Sequence, residues 1–269
     1  MTERQLADEL RAVGVPEYDT EARIIFRELS GKSAAELALK RTKLDDGVLL
    51  PIIERRAKRE PLAYILGVWY FCFESYLVTR DVLIPRRDTE LLVTASARDI
   101  KRGQRILDLC TGSGCVGIST LRMTEKTTAL LVDISENAIE IAKKNAERNG
   151  MLARCEFACL DVLRELPEGK FNAILSNPPY VTDSEYEALE PELYYEPRSA
   201  FVGGEDGLDF YRSLIPRLDG ILAEGGFIAF EIGSLQGDAL RAIARENSMS
   251  CEIIKDYSQN DRVAVLRRG

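Results

Sequence analysis

No histidine occurs anywhere in the 269 residues. That absence removes imidazole acid–base catalysis, histidine-ligated metals and the usual serine or cysteine triads together. No stretch reaches the roughly 18 consecutive apolar residues of a membrane-spanning helix. The opening MTERQLADELRAVG is charged and amphipathic. It lacks the apolar run and small-residue cleavage site of a secretory signal, so a soluble, cytoplasmic protein with no membrane partner is expected. Cationic excess is missing too. The net charge is −8, which argues against a surface that wraps nucleic acid by neutralising phosphates, and no stable nucleic-acid binding is expected. The six cysteines show no paired CxxC spacing and sit in apolar segments, which favours reduced, buried thiols over disulfides or zinc. Cys155 and Cys159 come nearest to a metal pair, and no metal is expected.

What is present is enough chain for a large core and a smaller second unit. Up to residue 60, the apolar positions Leu6, Leu10 and Val13, then Ile24, Ile25 and Leu29, recur at helical spacing. Pro16, Gly31 and Pro51 punctuate this segment into three or four short helices, a small bundle. The run Arg55-Arg56-Ala57-Lys58-Arg59 reads as a solvated helix face, with an acidic partner as the alternative. From Gly67 to Pro85, aromatic and β-branched residues dominate on either side of Glu74-Ser75, which predicts a β-hairpin with its break there. Asp88 then offers an N-cap for a helix through ELLVTASARDI.

Beyond Gly103 seven short apolar runs (RILDLC, ALLVDI, CEFACLDV, FNAILSN, FIAFEI, CEIIKDY and RVAVLRR) mostly alternate with helical stretches at 115–124, 136–149, 207–222 and 235–246. The last two runs are joined by a polar turn too short for a parallel crossover. The pattern predicts an α/β fold: a seven-stranded, mostly parallel sheet with helices on both faces and its last strand antiparallel. The organisation is then a helical bundle over 1–66, a β-hairpin linker over 67–86 and the main domain over 87–269.

The first of these strands ends in Asp108-Leu109-Cys110-Thr111-Gly112-Ser113-Gly114. Glycines at the carboxyl end of a strand let backbone approach a ligand, and a nucleotide-type cofactor is expected there. Gly112, Gly114 and Gly117 also satisfy GxGxxG, and Asp133 ends the second strand where a dinucleotide site places its ribose-binding acid. An NAD-dependent oxidoreductase is therefore a rival reading. Against it stand Asp108, placed to meet a cationic amino-acid moiety, and the lack of an obvious hydride-transfer residue. Asp133 suits two ribose hydroxyls, with Ser135 the better cap for the helix that follows. Asp161 can accept from an adenine amino group while Val162 packs on the ring, or simply close a turn.

Ser176-Asn177-Pro178-Pro179-Tyr180 ends the fourth strand, where two prolines force the chain out of the sheet. A turn alone explains neither the amide before the prolines nor the aromatic after them. Asn177 Oδ1 and the Pro178 carbonyl are two acceptors that can hold both N–H groups of a planar –NH2, with Tyr180 stacked on its π system. Such a nitrogen is a poor nucleophile, and acceptors on both N–H bonds return density to it and aim its lone pair. A glutamine-type amide and a nucleobase amine both fit.

With these motifs in place, the chain resembles the release factor glutamine N5-methyltransferase family, of the HemK/PrmC type, over nearly its whole length. Similar blocks include Pro61-Leu62-Ala63-Tyr64-Ile65-Leu66-Gly67, Leu83-Ile84-Pro85-Arg86-Arg87-Asp88-Thr89-Glu90 and Tyr195-Glu196-Pro197-Arg198-Ser199-Ala200. Gly203-Gly204-Glu205-Asp206-Gly207-Leu208 and Glu231-Ile232-Gly233 with Gln236 match as well. Two departures stand out: Cys110 replaces a glycine, and FCFESYLV lacks a Trp-Gly after its first Phe. The resemblance implies a Rossmann-like methyltransferase domain, an N-terminal domain that docks the substrate, and a role in translation termination. The implied reaction methylates the glutamine of the Gly-Gly-Gln motif in class I peptide chain release factors, converting S-adenosylmethionine to S-adenosylhomocysteine without a metal.

In that scheme the cofactor meets Asp108, Cys110, Thr111, Gly112, Ser113, Gly114, Asp133, Ile134, Asp161, Val162 and Asn177. Asn177, Pro178 and Tyr180 are catalytic, and the substrate meets Asn177, Pro178, Pro179 and Tyr180, with Arg86 and Glu90 lining the site. A nucleic-acid adenine or cytosine amino-methyltransferase, which shares the Asn-Pro-Pro-Tyr element, ranks second. The oxidoreductase ranks third and a binding-only scaffold last.

Overall fold

A computed structural model describes residues 1–39 and 42–269. The chain divides into two compact units, Met1–Val68 with Glu190–Tyr195, and Trp69–Leu189 with Glu196–Gly269. Thus a short stretch from the middle of the sequence belongs with the N-terminal helices. No helix among the described residues is long and apolar enough to cross a membrane.

The first unit holds helices α1 (Glu3–Ala12), α2 (Tyr18–Ser30), α3 (Ala34–Leu39), α4 (Asp46–Ala57) and α5 (Leu62–Leu66). Thr2 and Gln5 form a reciprocal capping box on α1, and Gly31 closes α2 in the left-handed conformation. Leu6, Leu10, Ala22, Ile25, Phe26 and Leu49 are fully buried among these helices. Val13, expected on the buried stripe, is exposed because α1 stops at Ala12 and leaves it as the C-cap, so Val15 fills the core instead. Pro51 does not punctuate the bundle. It lies inside α4, where it forgoes the bond to the Gly47 carbonyl without ending the helix.

The Arg55–Arg59 run is only in part a solvated face: Ala57 and Lys58 are exposed, while the three arginines pair with carboxylates. Arg55 forks onto Glu60 (2.8 and 2.8 Å), Arg56 forks onto Glu21 (2.7 and 2.8 Å), and Arg59 reaches Glu192 at 2.7 Å. Arg56 is 2% exposed, so carboxylates of the same unit, not water, neutralise it.

In the second unit β1 (Val68–Phe71) and β2 (Glu74–Leu77) form a two-stranded hairpin. Its turn is Cys72-Phe73, both at positive φ (48° and 67°), and Glu74-Ser75 lies within β2 rather than at the break. The hairpin is no free linker. Phe71 and Tyr76 are buried against the sheet's helices, the Tyr76 hydroxyl meets Ser119 Oγ at 2.6 Å, and Asn145 bonds both the N–H and the C=O of Leu77.

The main sheet contains β3 (Arg105–Leu109), β4 (Thr128–Asp133), β5 (Cys155–Cys159), β6 (Phe171–Ser176), β7 (Leu222–Glu231), β8 (Met249–Lys255) and β9 (Asp261–Arg268), in the order β5-β4-β3-β6-β7-β9-β8. Pairing is parallel from β5 through β7, and β9 runs antiparallel to both neighbours. The seven-stranded expectation therefore holds. Successive residues face opposite layers: Leu107, Leu130, Ile174 and Phe230 pack in one core, Ile106, Leu131, Ala173 and Ala229 in the other. Helices α6 (Glu90–Asp99), α7 (Cys115–Met123), α8 (Glu136–Arg148), α9 (Asp183–Glu187), α10 (Asp209–Leu218) and α11 (Gly237–Glu246) complete the unit.

Asp88 is not the cap of α6. It sits in a 3-10 turn, Arg87–Thr89, that leads into the helix, and its carboxylate faces Arg262 at 3.2 Å. All six cysteines are free, but only Cys115 is buried. Cys159 is exposed, which corrects the expectation of buried thiols.

Candidate active site

The site grows from the carboxyl ends of β3, β4 and β6, where a parallel sheet leaves a crevice. After β3 the chain turns through Cys110 (φ 56°) and Gly112 (φ 52°) into α7, which starts behind Gly114. Asp108 lies beneath this loop, 1% exposed, accepting the Thr111 hydroxyl (2.5 Å) and the Gly117 N–H (2.9 Å). A Cβ on Gly117 would come within 2.9 Å of Asp108 Oδ2, so glycine is what lets α7 settle on the strand. Burial raises the Asp108 pKa to about 7, against the pull of its two donors.

Above the loop opens a cavity of about 360 Å³, within the range of small-molecule sites. Its wall includes Cys110, Thr111, Gly112, Ser113, Asp133, Ile134, Asp161, Val162, Asn177, Pro179 and Arg86. Asp108, Gly114, Pro178, Tyr180 and Glu90 are not among the wall residues. Asp133 accepts the N–H of Gly112 (2.8 Å) on one oxygen and of Ser135 (3.0 Å) on the other, and Ser135 caps α8 through the Ala138 N–H. Burial raises the Asp133 pKa, and the same backbone donors oppose the rise. Asp161 accepts the Leu163 N–H at 3.0 Å and pairs with Arg164.

The Asn-Pro-Pro-Tyr element leaves β6 beside this wall. Ser176 Oγ donates to the Leu109 carbonyl at 2.7 Å, tying β6 to β3. Asn177 Nδ2 donates to Thr89 Oγ1 at 3.3 Å. Tyr180 is half-buried against the core, and its hydroxyl donates to Glu231 at 3.2 Å. Val181 bonds Phe201 and Gly203, forming a bridge between two loops. Those loops approach so closely that a Cβ on Gly203 would lie 2.4 Å from the Pro179 carbonyl oxygen, and one on Gly207 2.1 Å from that of Tyr180. Gln236 completes the brace, donating to the carbonyls of Tyr180 (3.1 Å) and Gly207 (3.2 Å).

Arg86 and Glu90 separate. Arg86 reaches the wall while gripping Glu196, whose other oxygen accepts the Ile84 N–H at 2.9 Å. Glu90 instead accepts the N–H of Cys72 in the hairpin turn. Thr89, Glu196, Gly203, Gly207, Glu231 and Gln236 surround the element without having been assigned roles. Their blocks are visible in sequence, but their contacts arise only when β7, α11 and the loop after β2 converge.

Two family models match the chain: the PrmC N-terminal domain over residues 3–67 and the methyltransferase small domain over residues 87–193. The release factor glutamine methyltransferase of Geobacter sulfurreducens is 40% identical over 220 residues, covering 81% of this chain and 77% of that one. That of Agrobacterium fabrum is 35% identical over 271 residues, covering 96% and 93%. The chain belongs to the release factor glutamine methyltransferase family. A ribosomal protein L11 methylase from Lactobacillus delbrueckii subsp. bulgaricus, 23% identical with a TM-score of 0.52 over 68% of this chain and 80% of that one, shares the fold. The family's N-terminal model ends one residue before the boundary between the two compact units at Val68.

Proposed function

We propose that this enzyme transfers a methyl group from S-adenosylmethionine to the side-chain amide nitrogen of the glutamine in the Gly-Gly-Gln motif of class I release factors. Family membership supports the reaction. The observation that carries the site is Asn177, on the cavity wall with Nδ2 held by Thr89, which leaves Oδ1 as an acceptor.

The residues present suit the cofactor. Asp133 keeps lone pairs beyond its two backbone donors for a diol, and Ile134, Val162 and Leu163 offer apolar contact beside Asp161. Asp108 stands behind the wall, supporting Thr111 and Gly117 through Oδ2, with Oδ1 buried and without a hydrogen-bond partner. When bound, S-adenosylmethionine supplies a methyl group on a sulfonium, whose departure leaves a neutral thioether.

The protein's task is to make an amide nitrogen nucleophilic. Asn177 Oδ1 would accept one N–H, and the Pro178 carbonyl, next along the chain although Pro178 is not among the wall residues, would accept the other. Both dipoles would return density to nitrogen and hold its lone pair toward the cofactor side of the cavity. The nitrogen that took up the methyl group would shed one proton to water. The helices of the first unit dock the release factor in this reading.

Incubation with labelled S-adenosylmethionine should label a release factor and not its Gly-Gly-Ala variant. Asn177→Ala should abolish turnover while cofactor affinity persists. Label in DNA or RNA instead, or unchanged turnover in Asn177→Ala, overturns the reading.

A further inference from the structure

The cavity wall is mixed in charge. Asp81, Asp133 and Asp161 supply its carboxylates, and among its described residues Arg86 is the one Lys or Arg. Asp81 already accepts Asn137 Nδ2 and Thr79 Oγ1 (2.9 Å each), and Asp133 and Asp161 accept backbone N–H groups. Arg86 is held at one corner. Its Nη2 donates to Glu196 Oε1, and Glu196, with its side chain 1% exposed, accepts the Ile84 N–H on its other oxygen at 2.9 Å. A guanidinium carries five N–H donors in one plane, and the Glu196 bond uses one. The Arg86 side chain stays 34% exposed, so its other donors stand open to a second acceptor.

We propose that Arg86 holds the α-carboxylate of S-adenosylmethionine. The assignment rests on the cofactor reading above and follows first from charge. The cofactor's α-ammonium and sulfonium are cations and its carboxylate is its one anion, while glutamine and glycine side chains are neutral. A cation on this wall therefore has one partner of opposite sign among the two ligands. The planar fork of arginine also matches a carboxylate better than a point charge does. Position agrees with charge. Only a short carbon chain separates the carboxylate from the sulfonium, so whatever grips the carboxylate must lie near the group that receives the methyl. Arg86 immediately precedes the 3-10 turn Arg87–Thr89, whose last residue bonds the Asn177 amide. Arg86 then serves the cofactor rather than the substrate.

Another set of donors faces the same cavity. Helix α7 starts at Cys115, and Ser113, Cys115 and Val116 line the wall at its N-terminal end, where a helix concentrates about half a positive charge. Arg86 carries a full charge and a fork, so it should account for most of the preference for a carboxylate. Glu196 pins one corner of that fork and leaves the rest to the cofactor.

The test compares two ligands that differ by the carboxylate alone. Calorimetry on the full chain measures S-adenosylmethionine and decarboxylated S-adenosylmethionine against wild type, Arg86→Lys and Arg86→Met/Glu196→Leu, the double variant avoiding a stranded buried carboxylate. Wild type should prefer S-adenosylmethionine by about tenfold to a hundredfold, the worth of a hydrogen bond between charged groups. In the double variant the preference should shrink to within about threefold, with affinity for the decarboxylated ligand close to that of wild type. Arg86→Lys, which keeps a charge but no fork, should fall between the two. Equal loss for both ligands marks a purely structural role, and an undiminished preference in both variants leaves the carboxylate to the end of α7. Either result overturns the proposal. So does a wild type that binds both ligands alike, a measurement that needs no variant to fold. A release factor KM that rises while the preference stays undiminished returns Arg86 to the substrate and overturns it too. A wild type that binds neither ligand sinks the cofactor reading itself, which separates the two failures.

Discussion

The carboxylate of Glu90, in the first turn of α6, accepts the backbone N–H of Cys72 at 2.9 Å. Cys72 and Phe73 form a turn at positive φ without a glycine, a conformation that costs L-residues roughly 1–2 kcal/mol each. Glu90 therefore holds a strained turn closed and stands off the cavity wall. Glu90→Ala should destabilise the protein by about 1.5–3 kcal/mol, the worth of a hydrogen bond to a charged group, with cofactor affinity retained. Denaturant unfolding and calorimetry check this. Lost affinity at unchanged stability would return Glu90 to the site.

Gly207 lies at φ 72° with the Tyr180 carbonyl oxygen 2.1 Å from where a Cβ would stand. Gln236 Nε2, 2.7 Å from the same point, could swing aside, but the Tyr180 main chain has no such freedom. Gly207→Ala should push the Asn-Pro-Pro-Tyr element off its brace, costing about 1–3 kcal/mol as other overpacked sites do. Turnover should fall by far more than cofactor affinity, since Asp133 and the loop after β3 are untouched. Wild-type kcat in Gly207→Ala would show that the close approach has no bearing on catalysis.

Arg86 pairs with Glu196, whose side chain is 1% exposed. Burial raises the Glu196 pKa, and Arg86 and the Ile84 N–H pull it back. Arg86→Met would leave a buried carboxylate with the Ile84 N–H as its remaining partner among the described residues, a loss of about 2–4 kcal/mol given that the arginine itself is partly solvated. Arg86→Met/Glu196→Leu should recover much of that loss. A double variant as unstable as the single one would refute the pairing's structural role.

The features that sequence reveals are those carried by local pattern. The near-continuous apolar runs of RILDL, ALLVD and AILS mark strands buried on both faces, and the doubled proline after Asn177 marks where β6 must end. The glycines after Asp108 mark the crevice. The features it hides depend on partners distant along the chain. Asp88 has the chemistry of a cap, but Arg262, on β9, takes its carboxylate. Arg56 looks solvated until Glu21 folds onto it. Glu190–Tyr195 carries no mark of leaving its neighbours for the first unit. Thr89 is one hydroxyl among many until β6 brings the Asn177 amide to it.

Glu231 and Asp108 make stability respond to pH. Burial raises both folded pKa values to about 7, above the ordinary carboxyl values of 4.5 and 3.8. Between those values and about 7 the folded protein binds more protons than the unfolded chain, so stability falls as pH rises through that window. Above about 7 both carboxylates are ionised in the fold and the cost of burying charge is fully present. Melting temperature should therefore decline from about pH 5 to about pH 7. Glu231→Gln removes one of the two titrations: its melting temperature should exceed that of wild type by a margin that grows with pH. Asp108→Asn should flatten the stability profile likewise. A wild-type melting temperature that rises or stays level through that window would show that neither carboxylate carries the cost of burial its surroundings imply.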